Sequence, residues 1–273
     1  MSNINIQEQD SVAVAASFIV DEQKVKQVFA AYTRNYNPED PKIALKIEHT
    51  YKVAEICRDI ASSLDLCEED QQIAWLTGML HDVGRFEQIR IYDTFVDSKS
   101  VDHAQFGADL LFGNERLIER FIDSRQLDEL VEIAIREHNK FRIRIDIDER
   151  TAMFCNILRD ADKVDIFRVN VETPMEEIYN CTTEELLNSD VSPEVMVQAR
   201  NHQAVTRDVK KTPADFIVGH LALAFELVYP RSLAVALEQG YLNKLFDFPT
   251  KNPHARECID EIKNEISERL SCS

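Results

Sequence analysis

His81 and Asp82 stand side by side at the end of an apolar run, WLTGMLHDVGRF. Neighbours on an α-helix point about 100° apart, so burying both is costly unless they converge on strong positive charge. A metal ion meets that requirement. His49 lies on the apolar stripe of its own helix, four residues before Val53, and His138 lies four after Ala134 and seven after Val131. Asp162, with Leu158 four residues before it and Ile166 four after, aims a carboxylate at the same interior. Each of these residues alone is most simply a satisfied core group. Together they form a set of nitrogen and oxygen donors that suits Fe, Mn, Co, Ni or Zn rather than Ca.

In chain order, His49, His81-Asp82 and Asp162 in LRDADKVDIF resemble the H…HD…D signature of the HD-domain superfamily of metal-dependent phosphohydrolases. DHAQFGADLLF around His103 and AIREHNKF around His138 resemble the segments that give some members a six-residue, two-metal site. The resemblance covers roughly residues 45–168. It implies an all-α HD-domain bundle holding two divalent transition-metal ions. Asp82 would bridge them, with His49, His81 and Asp162 on one ion and His103 and His138 on the other. It also implies a metal-activated water that attacks a small phosphorylated metabolite or nucleotide.

For the phosphate, Arg85, three residues past Asp82, and Lys163, beside Asp162, are the expected cations, with Asp82 and Lys163 as the catalytic pair. Asp165, three residues from Asp162 on the same face, is either a partner for a ligating histidine or an ordinary helix acid. No GYP segment follows His138, which argues against the cyclic di-GMP phosphodiesterase branch, and HDVGRF lacks the acidic pair of the stringent-response hydrolases. The His103 and His138 segments are more similar to HD-type diadenosine tetraphosphate hydrolases. Two other readings stand beside it: an HD-type di-iron oxygenase, whose members use the same six-residue order, and a non-catalytic nucleotide-binding HD module, against which the intact ligand set argues.

The elements that must position these residues are helical. Six glycines and eight prolines in 273 residues leave few breaks, and apolar residues recur at three- and four-residue intervals. Asp40-Pro41 predicts a helix start, and Ile47, Val53, Ile56, Ile60 and Leu64 share a face beyond it. Glu68-Glu69-Asp70 predicts a second helix that ends near Gly84. Further helices are expected near 102–112, 115–124, 127–139 and 149–169. FRIRIDID at 141–148 alternates with period two and predicts an extended arm or strand. Phe86, Tyr92 and Phe95 fit a substrate mouth or the core. His220 reads as a core histidine, whereas Asp160, His202 and His254 read as exposed. The expected organisation is a partly loose segment at 1–39, a catalytic core at 40–170 and a helical extension at 171–273 that packs on the core and supplies no metal ligand.

Composition sets limits on the partners. Forty-nine Asp and Glu against 31 Lys and Arg give a net charge of −18, which repels polymeric nucleic acid but allows a small anion at a local positive site. The six cysteines include no CxxC pair and fit reduced thiols. The run SVAVAASFIV at 11–20 has no preceding positive charge and is too short to span a bilayer, so a cytoplasmic protein without a membrane partner is expected.

Overall fold

A computed structural model of the chain describes residues 20–179 and 181–271. All but the last residue of the 11–20 run, and Cys272, lie outside these residues. In chain order the helices are α1 (Glu22–Thr33), α2 (Pro41–Ser63), α3 (Glu68–Leu80), α4 (Val83–Tyr92), α5 (His103–Phe112), α6 (Ile118–Phe121), α7 (Asp128–Glu137) and α8 (Glu149–Glu172). They continue as α9 (Met175–Tyr179), α10 (Thr183–Asn188), α11 (Pro193–Arg200), α12 (Pro213–Ala222), α13 (Pro230–Glu238), α14 (Tyr241–Phe246) and α15 (Pro253–Ser271). The fold is all-α, and no strand occurs among the described residues. No helix among them is long and apolar enough to cross a membrane.

Three helices that carry the site, α2, α5 and α8, begin where a side chain can satisfy the orphan backbone donors of the first turn. Asp40 accepts from the Lys42 amide ahead of α2, with Pro41 at the first helical position. Asp102 and Asp148 do the same for α5 and α8. α2 and α3 pack as a hairpin through Val53, Ile60, Ile73 and Leu76, and α8 lies across both. α7 closes on α8 and α5, and α4 packs on α5. At that last contact a side chain on Gly84 would place its Cβ 2.5 Å from the His103 carbonyl and 2.6 Å from the Gly107 amide. Only glycine lets the two backbones come so close, and this proximity holds His103 beside Asp82.

Several elements differ from the sequence expectation. α1 lies within the stretch read as partly loose, and Val25 and Phe29, one turn apart, are buried in the core. The helix expected to run to Gly84 stops at Leu80, turns through His81-Asp82 and restarts as α4. The 141–148 segment is no strand: Ile143 and Ile147 rest on the core, whereas Ile145 is fully exposed, so its contacts repeat every four residues rather than every two. Phe86 is a core residue edged by Phe29 and Tyr32, and Tyr92 is exposed. Phe95 lies under the charged ends of Lys46 and Arg85.

Asp160 is the clearest reversal, because it is fully buried rather than exposed. Two positions from Asp162 it points about 200° away around α8, towards the later helices. Its carboxylate accepts from the amides of Val228 (2.8 Å) and Tyr229 (3.0 Å) and from the Ser232 hydroxyl (2.7 Å), tying α8 to the start of α13. α13 and α14 both pack on α8, and α12 packs on α11 and α15. Asp160→Ala would strand the buried Ser232 hydroxyl and two less buried amides, so unfolding in urea should show a loss of about 2 kcal/mol or more, with bound metal retained by the folded fraction. A loss below about 1 kcal/mol would mean that water replaces the carboxylate and that the tie is incidental.

Candidate metal centre

The structure brings all six predicted side chains to one point, from α2, the α3–α4 turn, α5, the C-terminus of α7 and α8. His49 Nε2 lies 3.1 Å from Asp162 Oδ1, 3.3 Å from His81 Nε2 and 3.6 Å from Asp82 Oδ2. His81 Nε2 is 3.5 Å from the same Asp82 oxygen. The other oxygen of Asp82 faces His103 Nε2 at 3.7 Å and His138 Nε2 at 4.0 Å, and these two nitrogens are 3.0 Å apart. Asp82 thus divides the donors into two groups, one on each carboxylate oxygen. The turn at 81–82 makes this possible, since it frees the two neighbours from the divergence of a continuous helix.

The imidazoles are oriented from behind. His81 and His138 cap the C-termini of α3 and α7, and the Nδ1 of each lies 2.7 Å from the carbonyl three residues back, Gly78 and Ile135 respectively. His49 sits mid-helix and His103 opens α5, so neither ends a helix. Their Nδ1 atoms instead meet carboxylates, Asp165 Oδ2 at 2.6 Å and Asp97 Oδ2 at 2.7 Å. All four partners only accept, so every Nδ1 carries its hydrogen and every neutral ring presents a bare Nε2 lone pair. Four lone pairs and two carboxylates then face one another; among the described residues Lys46 donates to Asp82 Oδ2 at 2.7 Å, and Arg85 Nε stands 3.6 Å from Asp82 Oδ1. Such a knot of acceptors could hold a metal ion. Donors about 2.1 Å from a shared ion lie about 3.0–3.4 Å apart, close to the shorter separations here.

The charges behave accordingly. Burial opposes ionisation of Asp82, but Lys46, His81 and Arg85 outweigh it and hold its carboxyl far below the usual range. Asp162 is likewise held low against burial by His49, His81 and His138. Burial and Lys46 lower His49, yet Asp162 and Asp165, one at each ring nitrogen, lift it above the ordinary histidine value. Burial, with His103 and His81 adding to it, pushes His138 down to about 3, and burial also lowers His103. Burial thus favours the neutral rings that a metal requires at His103 and His138, whereas at His49 an ion would have to displace a favoured proton.

Sequence reasoning missed three neighbours. Lys46 lies one turn before His49, and that spacing was its one signal. Asp97, in the segment between ligands, fixes His103 and accepts from Arg85 Nη1 at 2.8 Å. Arg168 forks onto Asp165 through Nε and Nη2, both at 2.8 Å, and so fixes the acid that orients His49. Arg85, expected to meet phosphate, spends Nη1 on Gln88, Phe95 and Asp97, while its buried Nε has no partner and lies 3.6 Å from Asp82 Oδ1.

The site opens into a cavity of about 740 Å³ whose far wall comes from residues 204–226. Seven Lys and Arg against five Asp and Glu line it, an excess of positive charge in a chain of net −18. Lys163 lines the cavity from α8, and burial, with Arg159 one turn away, brings its ammonium down to about 8. His220 lines the cavity rather than the enclosed core, and its Nδ1 is 3.4 Å from the Tyr179 hydroxyl. His202 and His254 are exposed and paired with Glu265 and Asp190.

Asp97→Asn and Asp165→Asn should each weaken divalent-metal binding by about 10- to 100-fold while leaving the helical circular-dichroism spectrum intact, because each frees one imidazole. Unchanged affinity in competition with a chromogenic chelator would show that packing alone orients the rings.

Comparison with known proteins agrees with this geometry. The HD-domain family model matches residues 47–168. A curated relative, 3'3'-cGAMP-specific phosphodiesterase 1 of Vibrio cholerae, is 36% identical over 66 residues. That match takes in 23% of this chain and spans only 15% of the relative. No solved structure matches. Residues 47–168, which carry all six converging side chains, form an HD domain.

Proposed function

We propose that the protein is a metal-dependent phosphohydrolase acting on a small phosphorylated metabolite or nucleotide. Its ions would be held by His49, His81 and Asp162 on one side of Asp82 and by His103 and His138 on the other. The observation that carries this reading is the acceptor-only cluster itself, open to a cleft with an excess of positive side chains. When bound, a pair of such ions supplies a water acidified to a pKa of about 7 and positive charge for the phosphoryl oxygens.

The chain's own residues do the rest. Lys163, which among the described residues donates only to the Arg159 carbonyl at 3.3 Å, is free to take a phosphoryl oxygen. Arg85 acts through others: anchored on Asp97, it steadies the partner of His103 and adds charge beside Asp82. The name of the Vibrio relative, a 3'3'-cGAMP-specific phosphodiesterase, supports the nucleotide class, within the short aligned segment.

The test starts from protein purified without added metal. Elemental analysis should find about two transition-metal equivalents per chain, and a phosphoester panel assayed with that metal should give turnover. His138→Ala should lose about one equivalent and at least about 100-fold in rate with the fold kept, since a ligand should matter no less than the groups that orient it. Full metal content with loss of substrate affinity alone would make His138 a phosphate-binding residue and the site mononuclear. Iron content with substrate-dependent oxygen uptake would point to an oxygenase, and metal without turnover of any kind to a binding module.

A further inference from the structure

The far wall of the cleft holds a cation that the metal centre does not use. Lys210, just past the 3-10 turn Arg207–Val209, is half-buried, lines the cavity and lies 5.3 Å over the Phe216 ring. No ion pair engages it among the described residues. The acids nearby are already engaged. Asp215 accepts from the amides of Ser192, Lys211 and Thr212 and from the Ser192 hydroxyl, and Glu226 accepts from Arg142 and the Ala204 amide. Asp208, on the same turn, comes within ion-pair distance of neither cation.

Space is kept for the Lys210 ammonium. A Cβ on Gly219 would lie 2.5 Å from Lys210 Nζ and 2.6 Å from Cε, so the bare glycine backbone forms the floor under this side chain. Arg207, exposed and on the same cavity wall, also makes no ion pair among the described residues. Burial, together with the charge of Arg207, brings Lys210 down to about 8, while burial and Lys210 together keep His220 neutral near 3. Two like charges close together, one of them partly desolvated, carry a cost that a bound anion removes.

We infer that Lys210 and Arg207 form a second anion-binding point, which holds a phosphoryl group of the substrate other than the one attacked. The substrate class is therefore a molecule with two phosphoryl groups, a nucleoside polyphosphate or a dinucleotide. A volume of about 740 Å³ accommodates far more than a single phosphate. The assignment of the second group to a substrate rests on the proposed hydrolase reading, but the anion site itself does not.

Calorimetric titration of the metal-loaded full chain with inorganic phosphate tests it. The wild type should bind two phosphates, and Lys210→Met one, with the remaining affinity within about twofold of its wild-type value. Gly219→Ala displaces the ammonium without removing it, and should weaken the same site at least tenfold; it serves also if the methionine variant fails to fold. A single phosphate in the wild type, or two undiminished in both variants, overturns the inference. If the chain as purified holds no metal but Lys210→Met still costs it a phosphate site, the anion point stands and the hydrolase reading fails.

Discussion

Four Nδ1–H groups, each locked on an acceptor behind its ring, impose the constraint on which the site depends. Gly78 and Ile135 supply backbone carbonyls, and Asp165 and Asp97 supply carboxylates. Each lock fixes a tautomer and a ring plane, and together they turn four Nε2 lone pairs onto the two oxygens of Asp82. No rearrangement of hydrogens on the neutral rings can relieve that convergence without breaking a lock. The convergence suits a cation, and the donors fall into two groups, one on each Asp82 oxygen.

The fold is arranged to make the convergence affordable. Helix termini, which have carbonyls to spare, carry His81 and His138, whereas the histidines placed within or at the start of helices borrow acids from α8 and the α4–α5 connection. α8 does the most: Asp162 and Asp165 look inward to the site, Arg159 and Lys163 line the cleft, and Asp160 on the opposite side fastens the later helices. The far wall of the cleft comes from those helices, so the segment beyond 170 shapes the space where a substrate would lie without contributing any of the six converging side chains.

What the sequence revealed, and what it hid, follows from the range of each interaction. The inward phase of His49, His138 and Asp162 is local information carried by apolar neighbours three and four residues away, and the helical starts at Asp40 and Glu68 are local too. The break at His81-Asp82 was hidden because the apolar run continues straight through it, and α4 escaped notice for the same reason. Lys46 reaches Asp82 across the fold, whereas Asp97 and Arg168 act on His103 and Asp165 six and three residues away, in polar pairings that apolar periodicity does not register. Asp160 misled because a lone acid in a helix reads as solvated, and its partners at 228, 229 and 232 are brought to it only by tertiary packing. In the 141–148 arm, alternation of isoleucine and charge imitates a strand although no neighbouring strand exists among the described residues.

Electrostatic balance links the two ends of the cleft. A chain of net −18 that gathers seven cationic side chains around one cavity concentrates its attraction for anions there and repels extended polyanions elsewhere. The central claim is that Asp82 separates two cation positions. Anomalous X-ray diffraction from crystals of the metal-loaded protein tests it most directly. Two peaks are expected, one within about 2.2 Å of His49 Nε2 and His81 Nε2 and the other equally near His103 Nε2 and His138 Nε2. A single peak, or a peak bound through any Nδ1, would contradict the account.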